Sequence, residues 1–154
     1  MRLEPLLRPE DGMLLADLAD RAALFRAVAE AAAGRLSNEG ADRLFAVLEE
    51  REQRYPTSTP EGVAFPHAMV AEIEQTLVLP VLAKPAVSFG VAGHPPSDVV
   101  FAIFGAESKP FQHVQLLARL ARIVRTSGAL DRLRGAGSGV DLVERLIAED
   151  RTHA

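Results

Sequence analysis

The chain has 154 residues, 48% of them hydrophobic and 25% charged, with a formal net charge of -4 at pH 7. That is core material for one domain spanning 1–154 with no room for a second, and dispersed arginines on an acidic chain exclude nucleic acid as the main partner. Without cysteine there are no disulfides, thiolate metal sites or cysteine nucleophiles, and without an apolar run near 20 residues no direct membrane insertion is expected, which makes the cytoplasm the expected location.

Residues 14–18 fit a short helix or a strand equally well, because so few positions carry no decisive period. From Asp20 to Gly34, Ala23, Leu24, Ala27, Val28 and Ala31 recur at helical spacing and predict a helix stopped by a glycine. A second helix follows, capped by Ser37 or Asn38, with Leu44, Val47 and Leu48 inward and Glu49-Glu50-Arg51-Glu52 at its end before Pro56. On an exposed helix, Asp42, Glu49, Glu50 and Glu52 read as solubilising charge. Residues 55–62 hold two prolines, three hydroxyl residues and a glycine, the chemistry of a loop.

Val63-Ala64-Phe65 predicts a very short strand leading to Pro66-His67, and 69–75 a helical turn. Pro80 demotes the apolar run 76–82 to an edge strand or loop. Strands are expected over 86–91 and 99–105, the second apolar throughout and so central. A helix over 111–126 places Val114, Leu117, Leu120, Ala121 and Val124 on one stripe, and Arg119, Arg122 and Arg125 on a solvated edge. A short helix over 129–134, a turn over 135–139 and a last helix over 140–149 complete the chain, and the tail 150–154 is expected to fray. The order predicts an α/β three-layer sandwich, a mixed central sheet of four to five strands with helices on both faces.

Four histidines are present: His67, His94, His113 and His153. Imidazole suits phosphoryl transfer near neutral pH because one ring nitrogen stays unprotonated and nucleophilic. His67 stands at a strand end beside a hydroxyl-rich loop, where reactive groups are commonly presented. His94 reads as a solvated loop residue, and His153 as part of the tail. No metal-ligand spacing is present, and the glycine-rich 135–139 lacks the Lys-Ser/Thr of a P-loop, so neither metal nor cofactor is expected.

Arg51-Glu52, Thr57-Ser58-Thr59 and Gly62-Val63-Ala64-Phe65-Pro66-His67, followed by His113-Val114-Gln115-Leu116-Leu117-Ala118-Arg119-Leu120-Ala121, resemble the signatures of the fructose, mannitol and nitrogen-type enzyme IIA domains of the phosphotransferase system. The resemblance runs over about 20–147. It implies that His67 carries the phosphoryl group, that His113 lies beside it, and that Arg51 offsets the charge with a planar donor fork. Thr57, Ser58 and Thr59 would add hydrogen bonds. The family has glycines after its Ser-Thr pair, whereas here Pro60-Glu61 place a rigid residue and a negative charge.

The resemblance implies phosphorylation by a histidine-containing phosphocarrier protein, with no metal needed. The phosphoryl group would then control a regulated target protein, as in the nitrogen-type branch. Two alternatives stand beside this: sugar-specific relay to an enzyme IIB, and a degenerate interaction module that is not phosphorylated. Whether the chain forms a homodimer is left open.

Overall fold

The computed structural model describes residues 1–36, 39–71 and 73–153. Two 3-10 turns, Glu4–Leu6 and Pro9–Asp11, lead into β1 (Met13–Ala16), so the ambiguous 14–18 stretch is strand over 14–16 and leaves the strand at Asp17. Helices α1 (Arg21–Arg35) and α2 (Ala41–Arg54) follow, then β2 (Val63–Ala64), β3 (His67–Val70), β4 (Leu77–Val87) and β5 (Ser97–Ala106). Helices α3 (Pro110–Arg125), α4 (Ala129–Arg134) and α5 (Gly139–Arg151) end the fold.

The sheet runs β1-β4-β5, with β2 and β3 both on the far side of β5. β4 and β5 are antiparallel, while β1 is parallel to β4, and β2 and β3 are parallel to β5. Strand alternation sends successive β5 side chains to opposite faces. Val100, Ala102 and Phe104 pack with Leu24, Phe25, Val28, Leu44 and Leu48 of α1 and α2. Val99, Phe101 and Ile103 pack with Leu116, Leu120, Leu133, Leu142 and Leu146 on the other side. The expected three-layer α/β sandwich is therefore present, with five strands. No described helix is long and apolar enough to cross a membrane.

Several local expectations change. In α1 the buried positions are Leu24, Phe25, Val28, Ala29 and Ala32, because alanines on every side leave the phase to the bulkiest residue, Phe25. The Asp20 carboxylate caps α1 by accepting from the Ala23 N–H at 2.8 Å, and Gly34 lies inside the last turn. Ser37 and Asn38, expected to cap α2, lie outside the described residues. In α3 the inward face is His113, Leu116, Arg119, Leu120 and Ile123, and Val114 is exposed. The expected stripe is one residue out of phase, about 100° of rotation. Arg119 is buried rather than solvated because the buried Asp150 carboxylate pairs with it at 2.9 Å.

Residues 69–70 belong to β3 instead of a helical turn, since the open edge of β5 at Ile103–Ala106 accepts their backbone. Residues 76–82 lie largely in the central strand β4 despite Pro80. Register with β1 starts only at Val81, so no neighbour on that side requires a Pro80 N–H. The expected 86–91 strand stops at Val87, and Gly90 turns the chain at φ +72°. The tail is not frayed at its start: α5 continues to Arg151, and Asp150 is wholly buried.

Candidate functional site

The site forms where α2, the 55–62 loop, the β2–β3 edge and the start of α3 meet. β2 pairs with β5 at Val99 and Val100, and β3 resumes pairing at Ile103. Pro66 cannot donate to a ladder, and between β2 and β3 its carbonyl accepts from the Ile103 N–H of β5 at 2.9 Å. The Phe65 carbonyl, outside that ladder, lies 2.7 Å from Nδ1 of His67. A carbonyl oxygen only accepts, so Nδ1 carries the hydrogen, and in the neutral ring Nε2 is left with its lone pair free.

His113, in the first turn of α3, brings its ring centroid to 5.2 Å from that of His67, at an interplanar angle of 52°. Its Nδ1 is buried with no hydrogen-bond partner among the described residues. Gly105 makes this approach possible: a Cβ there would stand 2.6 Å from Nδ1 of His113 and 2.8 Å from Sδ of Met69. Burial pushes the His113 pKa down to about 4, with the charges of His67 and Arg51 adding to the effect. Burial also lowers the His67 pKa, partly opposed by its bond to Phe65, and Arg51 lowers it further. Both rings are therefore neutral at pH 7.

Arg51, in the last turn of α2, donates through Nη1 to the Tyr55 carbonyl at 2.9 Å. It forms no ion pair among the described residues. Its neighbour Glu52 points inward and is only 3% exposed, a correction to its reading as solubilising charge. Its carboxylate accepts from the Thr57 N–H and hydroxyl, each at 2.7 Å, which neutral donors can satisfy inside the protein.

Residues 57–65 make a miniature hairpin. The Phe65 N–H donates to Thr57, Ser58 bridges to Ala64, and the Thr59 N–H donates to Val63. The Thr59 hydroxyl donates to the Val63 carbonyl at 2.9 Å, and the Ser58 hydroxyl meets Nδ1 of His94 at 2.9 Å. All three loop hydroxyls thus hold the loop itself. Pro60 and Glu61 form its tip, closed by the Gly62 N–H donating to the Thr59 carbonyl. The rungs between the tip and Phe65 span about 10 Å at ordinary strand rise, so the two departures from the family pattern sit away from His67.

The structure brings His67, His113 and Arg51 together, with Thr57 in the adjoining rung and Ser58 and Thr59 farther along the hairpin. Three contributors were missed in the sequence. Glu52 was hidden in a charge run, Gly105 at the end of an apolar strand, and His94, read as solvated, is half-buried against Ser58. Of these, Gly105 carried a signal, a glycine closing a strand just before the histidine-bearing helix, and Glu52 carried another as part of the Arg51-Glu52 pair in the family pattern. Among the described residues, no three His, Asp or Glu side chains gather as a metal site would require.

The nitrogen regulatory protein of Bradyrhizobium diazoefficiens is 29% identical over 106 residues, 69% of either chain. That of Pseudomonas aeruginosa is 23% identical over 147 residues, 96% of either chain. The crystal structure of nitrogen regulatory protein IIA-Ntr from Neisseria meningitidis superposes with a TM-score of 0.82 at 21% identity, covering 96% of this chain and 98% of that one. The Escherichia coli complex of mannitol enzyme IIA with phosphorylated enzyme IIB gives 0.71 at 19% identity, covering 90% and 95%. Residues 6–149 match the family described as "Phosphoenolpyruvate-dependent sugar phosphotransferase system, EIIA 2", and the chain belongs to that family.

Proposed function

We propose that Nε2 of His67 accepts a phosphoryl group from a phosphohistidine on a carrier protein, and that its phosphorylation state regulates a target protein in the cytoplasm. The observation that carries this reading is the fixed tautomer of His67, whose Nδ1–H is held by Phe65 and whose Nε2 is free. In the transfer, the Nε2–P bond forms as the donor's P–N bond breaks. The electron pair stays on the donor nitrogen, and a donor ring that carries a proton on its other nitrogen leaves as a neutral imidazole, so no proton has to be supplied. The Phe65 carbonyl steadies the positive charge that develops on the His67 ring.

His113 and Arg51 meet the phosphoryl oxygens. An orphaned buried N–H is rarer than an orphaned acceptor, so the unpartnered Nδ1 of His113 is best left without hydrogen, which puts the proton on Nε2 as a donor. Arg51, with no ion pair among the described residues, supplies the full charge. No metal is needed, because positioning and charge stabilisation do the work. Exposed Phe111 and Val114 beside His113, 73% and 61% accessible, together with Tyr55 at 73%, give a protein donor apolar surface close to the acceptor.

The nitrogen-regulatory names of the relatives favour regulation over sugar uptake. Relay to an enzyme IIB is the second reading, supported by the fold shared with a mannitol enzyme IIA captured with its phosphorylated IIB. Incubation with phosphoenolpyruvate, enzyme I and the phosphocarrier protein, followed by intact mass, tests the proposal. One acid-labile phosphoryl adduct is expected on the wild type and none on His67→Ala; an unmodified wild type with several carriers would leave only an interaction module.

A further inference from the structure

The loop joining β4 to β5, residues 88–96, is built to hold one ring in place. Phe89 anchors its base in the core, edge-on to Phe25 with centroids 6.0 Å apart. Gly93 takes φ +83°, a conformation open to glycine, and the His94 N–H donates back to the Val91 carbonyl at 3.2 Å. Pro95 and Pro96 then restrict the backbone that follows. The result is a turn that is anchored in the core at its base and, among the described residues, reaches the hairpin through the contact of His94 Nδ1 with the Ser58 hydroxyl, at 2.9 Å.

From Ser58 an unbroken path leads to the acceptor. Ser58 bridges to Ala64, and the next residue, Phe65, donates its N–H to the Thr57 carbonyl at 3.2 Å. The Phe65 carbonyl then takes the Nδ1–H of His67 at 2.7 Å. The hairpin is already held at its start by Glu52 through Thr57. It is also held beyond its tip, where Arg134 donates to the Glu61 carbonyl at 2.8 Å and the Asp98 N–H donates to that of Gly62 at 3.1 Å. Between those two clamps, the Ser58 side chain is fastened by His94.

We infer that His94 is a positioning residue for His67: by fastening Ser58 it fixes the hairpin rung that sets the Phe65 carbonyl, and through it the direction of the His67 Nε2 lone pair. The inference rests on the proposal that His67 accepts a phosphoryl group, and it adds a residue far off in sequence that touches neither donor nor phosphoryl group. Small errors in attack geometry are costly in transfers that depend on alignment, so loss of the fastening slows transfer and leaves donor docking intact.

The test compares wild type with His94→Ala, His94→Asn, Ser58→Ala and the double variant His94→Ala/Ser58→Ala. Phosphorylation kinetics use the phosphocarrier protein as donor, and amide hydrogen exchange is followed at Thr59 and Phe65. His94→Ala is expected to lower kcat roughly tenfold or more, with KM for the carrier within about twofold. Asparagine, whose amide reaches the Nδ1 position, restores most of the rate. The double variant is no slower than either single, as expected for residues acting as one unit. Faster exchange at Phe65 in His94→Ala accompanies these effects.

The exchange measurement judges the fastening even where phosphorylation itself fails. A wild type that takes no phosphate overturns the proposed function, and unchanged Phe65 exchange in His94→Ala overturns the inference about His94. A wild-type rate in His94→Ala, or additive losses in the double variant, also overturns it.

Discussion

At the scale of single residues, the site depends on two imidazoles kept neutral at pH 7, each first by burial. His113 is lowered to about 4 first by burial and then by its charged neighbours. An unfolded histidine has its ordinary pKa of about 6.5, so between pH 6.5 and 4 the unfolded chain binds a proton that native His113 refuses. Stability from this source is complete above about pH 6.5 and is lost as the pH falls toward 4. Urea unfolding from pH 7 down to 4 should therefore show stability declining with acid, and declining less in His113→Gln. His67 is also lowered, first by burial, so the fall in the rate of phosphoryl acceptance on acidification should come at a lower pH than it would for an ordinary histidine, read from the rate against pH.

Gly105 gives a second prediction at this scale. Gly105→Ala drives a methyl group against His113 and Met69; about 1–3 kcal/mol of stability should be lost, together with the paired arrangement of the two rings. Denaturation and the phosphorylation rate read the two effects separately. His67 and His113 were legible in the sequence because a family pattern marks them and because imidazole is the right nucleophile. His94 was not, and Glu52 was marked by the same pattern without its role, because each acts through a loop hydrogen bond whose partner is fixed only by the folded backbone.

At the scale of elements, composition served best where one face of an element is dry. β5 was readable as a central strand because both of its faces are covered, while α1 and α3 were found with their buried faces misphased. Alanines blur the phase in α1, and in α3 a buried arginine stands where only apolar residues were counted. Pro80 misled for a geometric reason, since the general exclusion of proline from central strands lapses where the neighbouring strand β1 has not yet begun. A cap far from the site offers a clean contrast. Asp20→Ala removes the bond to the Ala23 N–H and should cost about 1 kcal/mol, with the phosphorylation rate unchanged.

At the scale of the whole molecule, one buried carboxylate ties both ends of the chain to the helix that carries His113. Asp150 accepts from the Leu3 and Glu4 backbone N–H groups at 2.9 and 3.2 Å and pairs with Arg119 of α3. Arg119 in turn donates to the carbonyls of Asp150 and His153. Asp150→Ala strands a buried guanidinium and should cost about 3–5 kcal/mol, measured by urea unfolding. The three-layer order was legible from the sequence of helices and strands. This polar knot was not, because no local pattern announces a pair 31 residues apart.

Nitrogen NMR of the imidazoles after reaction with the phosphorylated carrier shows which ring nitrogen takes the phosphoryl group proposed for Nε2 of His67. A phosphorus–nitrogen coupling is expected at Nε2 of His67 alone, with its Nδ1–H still held by Phe65. Phosphorylation at Nδ1, or at His113, would contradict it.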